Sequence, residues 1–413
     1  MFTARTTVAN DLPESVPLEY EPVGPQGIPN KKRRVLVLSE IISPYRIPVF
    51  NALTKHEALD LHVVFLAETD PGLRQWRVYR DEIRFSYEVL PSWRFRMGKH
   101  NLLLNWGLRS CIGKFAPETV ICGGYNYLAS WEALSWARRH SVDFVLWSES
   151  NRYDARKGSA WAESLKSYFL KRCDRFVVPG KASFDYLRSL GSAAERITVA
   201  SNAVDNDWFV AQSDSVRARA LELREKLGLP ERFVLFVGRL VLEKGVFDLL
   251  DAYGSLGDEI RSEAGLVFAG DGESRLKLEQ MSKQIRPGRI CFPGFVHREI
   301  LAGLYALAEA LVLPTHSDTW GLVVNEAMAC GLPIIVTSVA GCYADLVEDG
   351  WNGYVVPPVD SQSLKMAMEQ ILRSHELRQQ MGARSAERIR SYSPDACAAG
   401  LASAALSAAR QMP

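Results

Sequence analysis

No stretch of about 18 uncharged apolar residues occurs in the 413-residue chain, so no membrane-crossing helix is expected. The first residues contain no apolar run ending in a small-residue cleavage site, so no secretory leader is expected. The seven cysteines are odd in number and none forms a C-x-x-C pair, which argues against a zinc site or a disulfide frame. Free thiols in a reducing cytoplasm are the expectation. A strong excess of one charge is also missing: the net charge is +1, and no nucleic-acid partner is expected. The G-x-G-x-x-G fingerprint of a dinucleotide oxidoreductase is absent. Its nearest approach, Gly270-Asp271-Gly272, has Arg275 where the third glycine belongs. Asp205-Asn206-Asp207 has the letters of an Asp-x-Asp metal site. It falls at a domain junction rather than at a central strand end, so neither metal nor cofactor is expected.

What is present is an ordinary globular composition, 47% hydrophobic and 23% charged, in a chain too long for one core. Residues 1–30 are proline-rich without apolar periodicity and read as a disordered tail. Short apolar runs then alternate with helical patterns. Strands are expected at Val35–Leu38, Leu61–Leu66, Thr119–Cys122, Phe144–Trp147, Arg175–Val178 and Ile197–Ala200. A second series follows at Phe233–Val237, Gly265–Ala269, Ile290–Phe292, Ala310–Leu313, Ile334–Thr337 and Gly353–Val355. Such alternation predicts two α/β domains with parallel sheets, 31–205 and 206–390, with 391–413 as a final helix. Ligands of such sheets bind beyond the carboxyl ends of the strands, so two facing sheets make a cleft for two substrates. Basic residues outnumber acidic ones before Asp205, and the reverse holds beyond it. A basic half steers toward anionic partners such as phospholipid headgroups, although an imbalance of this size also arises by ordinary scatter.

Two segments concentrate chemistry. In Phe236-Val237-Gly238-Arg239-Leu240-Val241-Leu242-Glu243-Lys244-Gly245, a buried strand delivers two cations near a helix start, an arrangement suited to a diphosphate. The plainer reading is one surface Arg and one surface Lys. In Pro314 through Pro333, a strand ends at Pro314 and a helix is predicted from Gly321 to Gly331. Gly321 admits a ligand close to the backbone, and the first helical amides can donate to a phosphate or sugar oxygen. Asp318 and Glu326 can accept from vicinal hydroxyls. Asp318 could instead cap the helix and Glu326 could lie on a solvated face. Glu326 stands in an otherwise apolar helix, where it would be costly to bury without a partner.

The carboxylate, seven residues and Glu spacing, followed by Glu326-Ala327-Met328-Ala329-Cys330-Gly331, resembles the donor site of the GT4 family of retaining glycosyltransferases, which have the GT-B fold. Ser201-Asn202-Ala203-Val204-Asp205 with Phe209, Ala269-Gly270-Asp271-Gly272, and Phe292-Pro293-Gly294-Phe295-Val296 resemble further family segments in order. So do Val339 to Gly341, Asp345 to Val347, and Gly350 to Gly353 with Pro357. The likeness is close over about 197–360. The resemblance implies two Rossmann-like domains facing across a cleft, the last helix packing back on the N-terminal domain, and transfer of a hexose-type sugar from a nucleoside-diphosphate sugar. It implies that Arg239 and Lys244 neutralise the diphosphate and that Glu326 holds the ribose. Asp318, with the Gly321 and Leu322 amides, would bind the transferred sugar, and Val296 would flank the base. Asp318 departs from the family's usual Glu, and Ala203 and Cys342 replace glycines.

The N-terminal half is then the acceptor side, receiving a glycan or lipid-linked acceptor. Glu149, after the strand Phe144–Trp147, is the candidate polar group near the reacting carbon, unless it merely pairs with Arg152. Arg46, in the loop after the first strand, faces the diphosphate. Residues 93–106 alternate basic and aromatic types beside a leucine run, which suits contact with the cytoplasmic face of a membrane. The plainer reading there is a strand, a turn and a helix with core leucines. A nucleotide-sugar epimerase and a non-catalytic nucleotide-sugar-binding protein remain as alternatives, since either would bind the same donor.

Overall fold

The computed structural model describes residues 31–70, 76–97, 100–153, 160–217 and 220–407, so the proposed 1–30 tail lies outside the described residues. The N-terminal half contains β1 (Arg33–Ser39), β2 (Leu59–Phe65), β3 (Ser86–Val89), β4 (Ser92–Met97), β5 (His100–Asn105), β6 (Thr119–Cys122), β7 (Asp143–Trp147), β8 (Arg175–Val178) and β9 (Ile197–Val199). Seven of these form one parallel sheet in the order β3-β2-β1-β6-β7-β8-β9, while β4 and β5 pair as an antiparallel hairpin. The C-terminal half contains β10 (Arg232–Val237), β11 (Ala264–Ala269), β12 (Ile290–Gly294), β13 (Ala310–Leu313), β14 (Ile334–Thr337) and β15 (Gly353–Val356). They form a second parallel sheet in the order β12-β11-β10-β13-β14-β15.

The central strands are apolar on both faces because helices cover both faces. Val35 to Leu38 are at most 2% exposed, and Phe233 to Phe236 are fully buried. Each sheet accordingly carries two apolar clusters, one per face. The stretch Ala211–Asp214, polar in sequence, lies inside a helix, Asn206–Arg217, that packs on the C-terminal half.

The last helix, Pro394–Ser407, returns to the N-terminal half and packs against the helix Arg46–Thr54 and strand β9. Its alanines and glycine explain the small-residue composition: Ala398, Gly400, Ala402, Ala404 and Ala405 are all buried in a close helix-on-sheet contact. Residues 408–413 lie outside the described residues.

The two halves meet through the loops at the carboxyl ends of their strands. After β7, Asn151 donates from Nδ2 to the Asp318 carbonyl at 3.0 Å, and the Tyr153 carbonyl accepts from Ser317 Oγ at 2.7 Å. After β8, the Lys181 amide donates to the Asp345 carboxylate at 3.1 Å. Beyond β12, Arg298 forks onto Glu82 and lies over the Tyr79 ring, 3.6 Å from its centre. The architecture is two parallel-sheet α/β domains facing across a cleft.

Candidate active site

The strand β10 ends at Val237, and the loop that follows reaches Lys244 through a single turn of tight helix, Leu242–Lys244. Gly245 closes that turn at φ +66°, where a Cβ would lie 1.9 Å from the Pro314 carbonyl oxygen. The neighbouring loop is bonded to the same turn: the His316 amide and Thr315 Oγ1 both donate to the Glu243 carbonyl, at 2.8 and 3.0 Å. These backbone contacts fix Lys244 opposite Asp318, and Lys244 Nζ donates to Asp318 Oδ2 at 2.5 Å. Both side chains are largely covered, at 18% and 16% exposure. Arg239, by contrast, is exposed and forms no ion pair among the described residues, so its guanidinium is free to meet an anion.

The Asp318–Lys244 pair lies beside the start of the helix Leu322–Ala329. Gly321 precedes that helix at φ +98°, and a Cβ there would come within 3.8 Å of Asp318 Oδ2 and 2.8 Å of Leu313. Glycine therefore keeps the helix start open beside the carboxylate, with the first-turn amides unpaired within the helix. Asp318 is not a plain cap: the nearest amide it accepts from is Trp320, at 3.3 Å, while its other oxygen holds Lys244.

Glu326, in the same helix, is half-buried, and its partner is Tyr305, whose hydroxyl donates to Glu326 Oε2 at 2.7 Å. Burial pushes the Glu326 carboxyl up to about 7, against the opposing pull of that hydrogen bond. Burial and the adjacent Glu326 carboxylate push the Tyr305 phenol well above its ordinary value. Val296 follows β12, an edge strand of the second sheet, and is half-buried against the apolar cluster that holds Val324 and Met328.

Polar groups of the N-terminal half gather in one cluster. Arg46 forms an ion pair with Glu149, donates from Nη1 to Asn202 Oδ1 at 3.2 Å and stacks over Trp147 at 3.8 Å. Asn202 Nδ2 also donates to Glu149 Oε1 at 3.3 Å. Glu149 therefore pairs with Arg46 and not with Arg152. Arg46, expected to face the diphosphate, is turned onto Glu149 and Asn202.

One hydrogen-bonded line joins the two clusters. Trp320 Nε1 donates to Asn325 Oδ1, and Asn325 Nδ2 donates to the Asn202 carbonyl, both at 2.9 Å with Asn325 fully buried. In the passage around Asn325 the sequence points to Asp318, Gly321, Leu322 and Glu326, and it misses Asn325, as it misses Tyr305 and Asn151. A buried Asn inside an apolar helix was the available signal for Asn325. Tyr305 had none, since an aromatic in an amphipathic helix reads as core.

All seven cysteines are free thiols. Among the described residues, the one grouping of three metal-ligating side chains, His62, Glu88 and Cys111, lies on β2, β3 and the helix Leu108–Phe115, outside this site.

The model for glycosyl transferases group 1 matches residues 220–388, and that for glycosyltransferase family 4 matches residues 50–208. The chain is 30% identical over 274 residues to an alpha-D-kanosaminyltransferase of Streptomyces kanamyceticus, covering 63% of this chain and 68% of that one. It is 27% identical over 323 residues to a glycogen synthase of Mycobacterium tuberculosis, covering 74% and 73%. Three other relatives match over little more than half of their own length, from 53% to 57%. The fold is shared with Anabaena Alr3699/HepE, solved with UDP, at a TM-score of 0.71 and 17% identity, covering 91% of this chain and 100% of that one. By the two models and the 30% relative, this chain belongs to the GT4-type glycosyltransferases of the GT-B fold.

Proposed function

We propose that the chain moves a hexose-type sugar from a nucleoside-diphosphate sugar to a glycan or lipid-linked acceptor, with retention at the anomeric carbon and no metal. The work is cytoplasmic, within cell-surface polysaccharide or glycolipid synthesis. The observation that carries this reading is the Lys244–Asp318 pair at the open start of the helix Leu322–Ala329, with Glu326 held further along the same helix. Arg239 and Lys244 supply two cations for the diphosphate, which makes a bridging metal unnecessary. Asp318, freed in part from Lys244 by the incoming phosphate, accepts from hydroxyls of the transferred sugar, and Glu326 accepts from the ribose. Val296 flanks the base through its backbone. The related Anabaena structures with UDP and with UDP-glucose support uridine as the first base to try.

In the step itself, an acceptor oxygen forms its bond to the anomeric carbon as the bond from that carbon to the phosphate oxygen breaks. The acceptor proton passes to the departing phosphate on the same face. No protein nucleophile is needed, so the protein's part is to position both reactants and to offset the growing phosphate charge. Arg46 and Glu149 stand on the acceptor side of that step. The test is proton NMR of the first product formed from an α-linked nucleotide sugar in the presence of EDTA. An α-linked product supports the reading. A β-linked product, or turnover that stops with EDTA, contradicts it.

A further inference from the structure

Half of the Glu326 carboxylate is taken and half is open. Oε2 accepts from the Tyr305 hydroxyl at 2.7 Å. Oε1 has no hydrogen-bond partner among the described residues, and it is not sealed from solvent. A glutamate side chain turns about several single bonds, so on an otherwise apolar helix it would sample several rotamers. With one oxygen pinned by a phenol, the other is aimed in a set direction.

Tyr305 is itself held. It is fully buried in the helix Arg298–Leu307, and its ring meets Phe209 edge-on, with centroids 6.2 Å apart. Phe209 belongs to a different helix, Asn206–Arg217, so the ring is packed from outside its own helix. A buried phenol needs one acceptor, and a backbone carbonyl would serve. A carboxylate is the costlier choice. Burial pushes the Glu326 carboxyl up to about 7, and burial with the nearby carboxylate raises the Tyr305 phenol as well. A pairing that is costly to both groups is better explained by the work of Glu326 than by the stability of the fold. The Tyr305 hydrogen bond opposes the rise at Glu326, which favours the charged form that accepts and does not donate.

We propose that Tyr305 is a positioning residue for the donor ribose: its hydroxyl holds one oxygen of Glu326, so that the other is set to accept from a ribose hydroxyl. This rests on the assignment of Glu326 to the ribose, and the test separates the two. Binding of UDP, GDP and ADP to the full chain is measured by calorimetry, beside their 2′-deoxy and 3′-deoxy forms. For the base that binds, the wild type should prefer the ribonucleotide over one deoxy form by about tenfold or more, the loss of one hydrogen bond to a carboxylate. Tyr305→Phe keeps the ring and removes the hydroxyl alone. In that variant the nucleotide should still bind, with the preference reduced to about threefold or less. Glu326→Ala should lose the preference, and adding Tyr305→Phe to it should lower the preference no further, because the hydroxyl acts through the carboxylate.

A wild-type preference in Tyr305→Phe overturns the proposal and leaves Glu326 on the ribose. A further loss in the double variant also overturns it, since the hydroxyl would then act by another route. So does loss of the fold in Tyr305→Phe, seen by circular dichroism, because the hydroxyl would then serve stability. A wild type that binds no nucleotide or shows no preference, or a Glu326→Ala variant that keeps the preference, removes the donor-site reading and the proposal with it.

Discussion

The two sides of the cleft hold their charged groups by different means. On the C-terminal side, Lys244 and Asp318 sit on loops whose backbones are bonded to each other, and Gly245 lets the two loops approach closely. On the N-terminal side, Arg46, Glu149 and Asn202 come from three separated segments and are held in part by one another's side chains. A backbone-set pair is a rigid platform, suited to a diphosphate whose shape does not vary. A side-chain cluster can exchange partners when an acceptor arrives. The contrast predicts that substitutions on the C-terminal side act on donor affinity and turnover together, while those on the N-terminal side act on turnover with the acceptor.

The largest expected effect comes from Lys244→Ala, which removes a cation from the diphosphate and leaves Asp318 unpaired. Steady-state turnover should fall by about 100-fold or more, with weaker UDP affinity measured by calorimetry. Turnover within a few-fold of wild type would break the C-terminal half of the comparison. Asn325→Leu tests the line between the two sides. It strips Trp320 Nε1 and the Asn202 carbonyl of their buried partner, and should cost about 2 kcal/mol in urea denaturation. A change near zero would mean that the two clusters are not joined through Asn325.

Glu149→Gln sharpens the contrast. It weakens the ion pair with Arg46 while keeping the shape, and is expected to lower kcat by about tenfold with UDP affinity unchanged. An equal loss of UDP affinity would place Glu149 on the donor instead. The smallest effect is the pH dependence of Glu326. The folded protein keeps this carboxyl protonated up to about pH 7, whereas the unfolded chain releases the proton near the ordinary value of 4.5. The folded state therefore loses relative stability as pH rises from 4.5 through 7, and the loss is complete above that. Glu326→Gln should raise the melting temperature of the unliganded protein at about pH 8 and leave it unchanged at about pH 4. A gain at acid pH instead would reverse the sign and contradict the burial account.

The sheets were legible because parallel strands buried on both faces leave unbroken apolar runs, as in Val35 to Leu38 and Leu311 to Leu313. Strand β3 was not, because Ser86, Tyr87 and Glu88 at the sheet edge are exposed and show no apolar run. The hairpin was half legible: its mixture of aromatic and basic residues stood out, but the leucines read as helix belong to β5, where Leu103 is core and Leu102 is not. Lys244, Asp318 and Glu326 could be singled out in the sequence because their order and spacing lie within single strand-to-helix passages. The pairing of Arg46 with Glu149, 103 residues away, and of Glu326 with Tyr305 depends on how the sheets and helices assemble, for which no local pattern exists.

In the proposed function, the C-terminal loops bind a nucleoside diphosphate through Lys244 and Glu326 without a metal. The most direct test is the melting temperature of the wild type, Lys244→Ala and Glu326→Ala with UDP, GDP, ADP and NAD, each with and without EDTA. The account predicts that one nucleoside diphosphate raises the melting temperature of the wild type regardless of EDTA, and that both variants lose most of that rise. A rise with NAD alone, a rise abolished by EDTA, or full responses in both variants would contradict it.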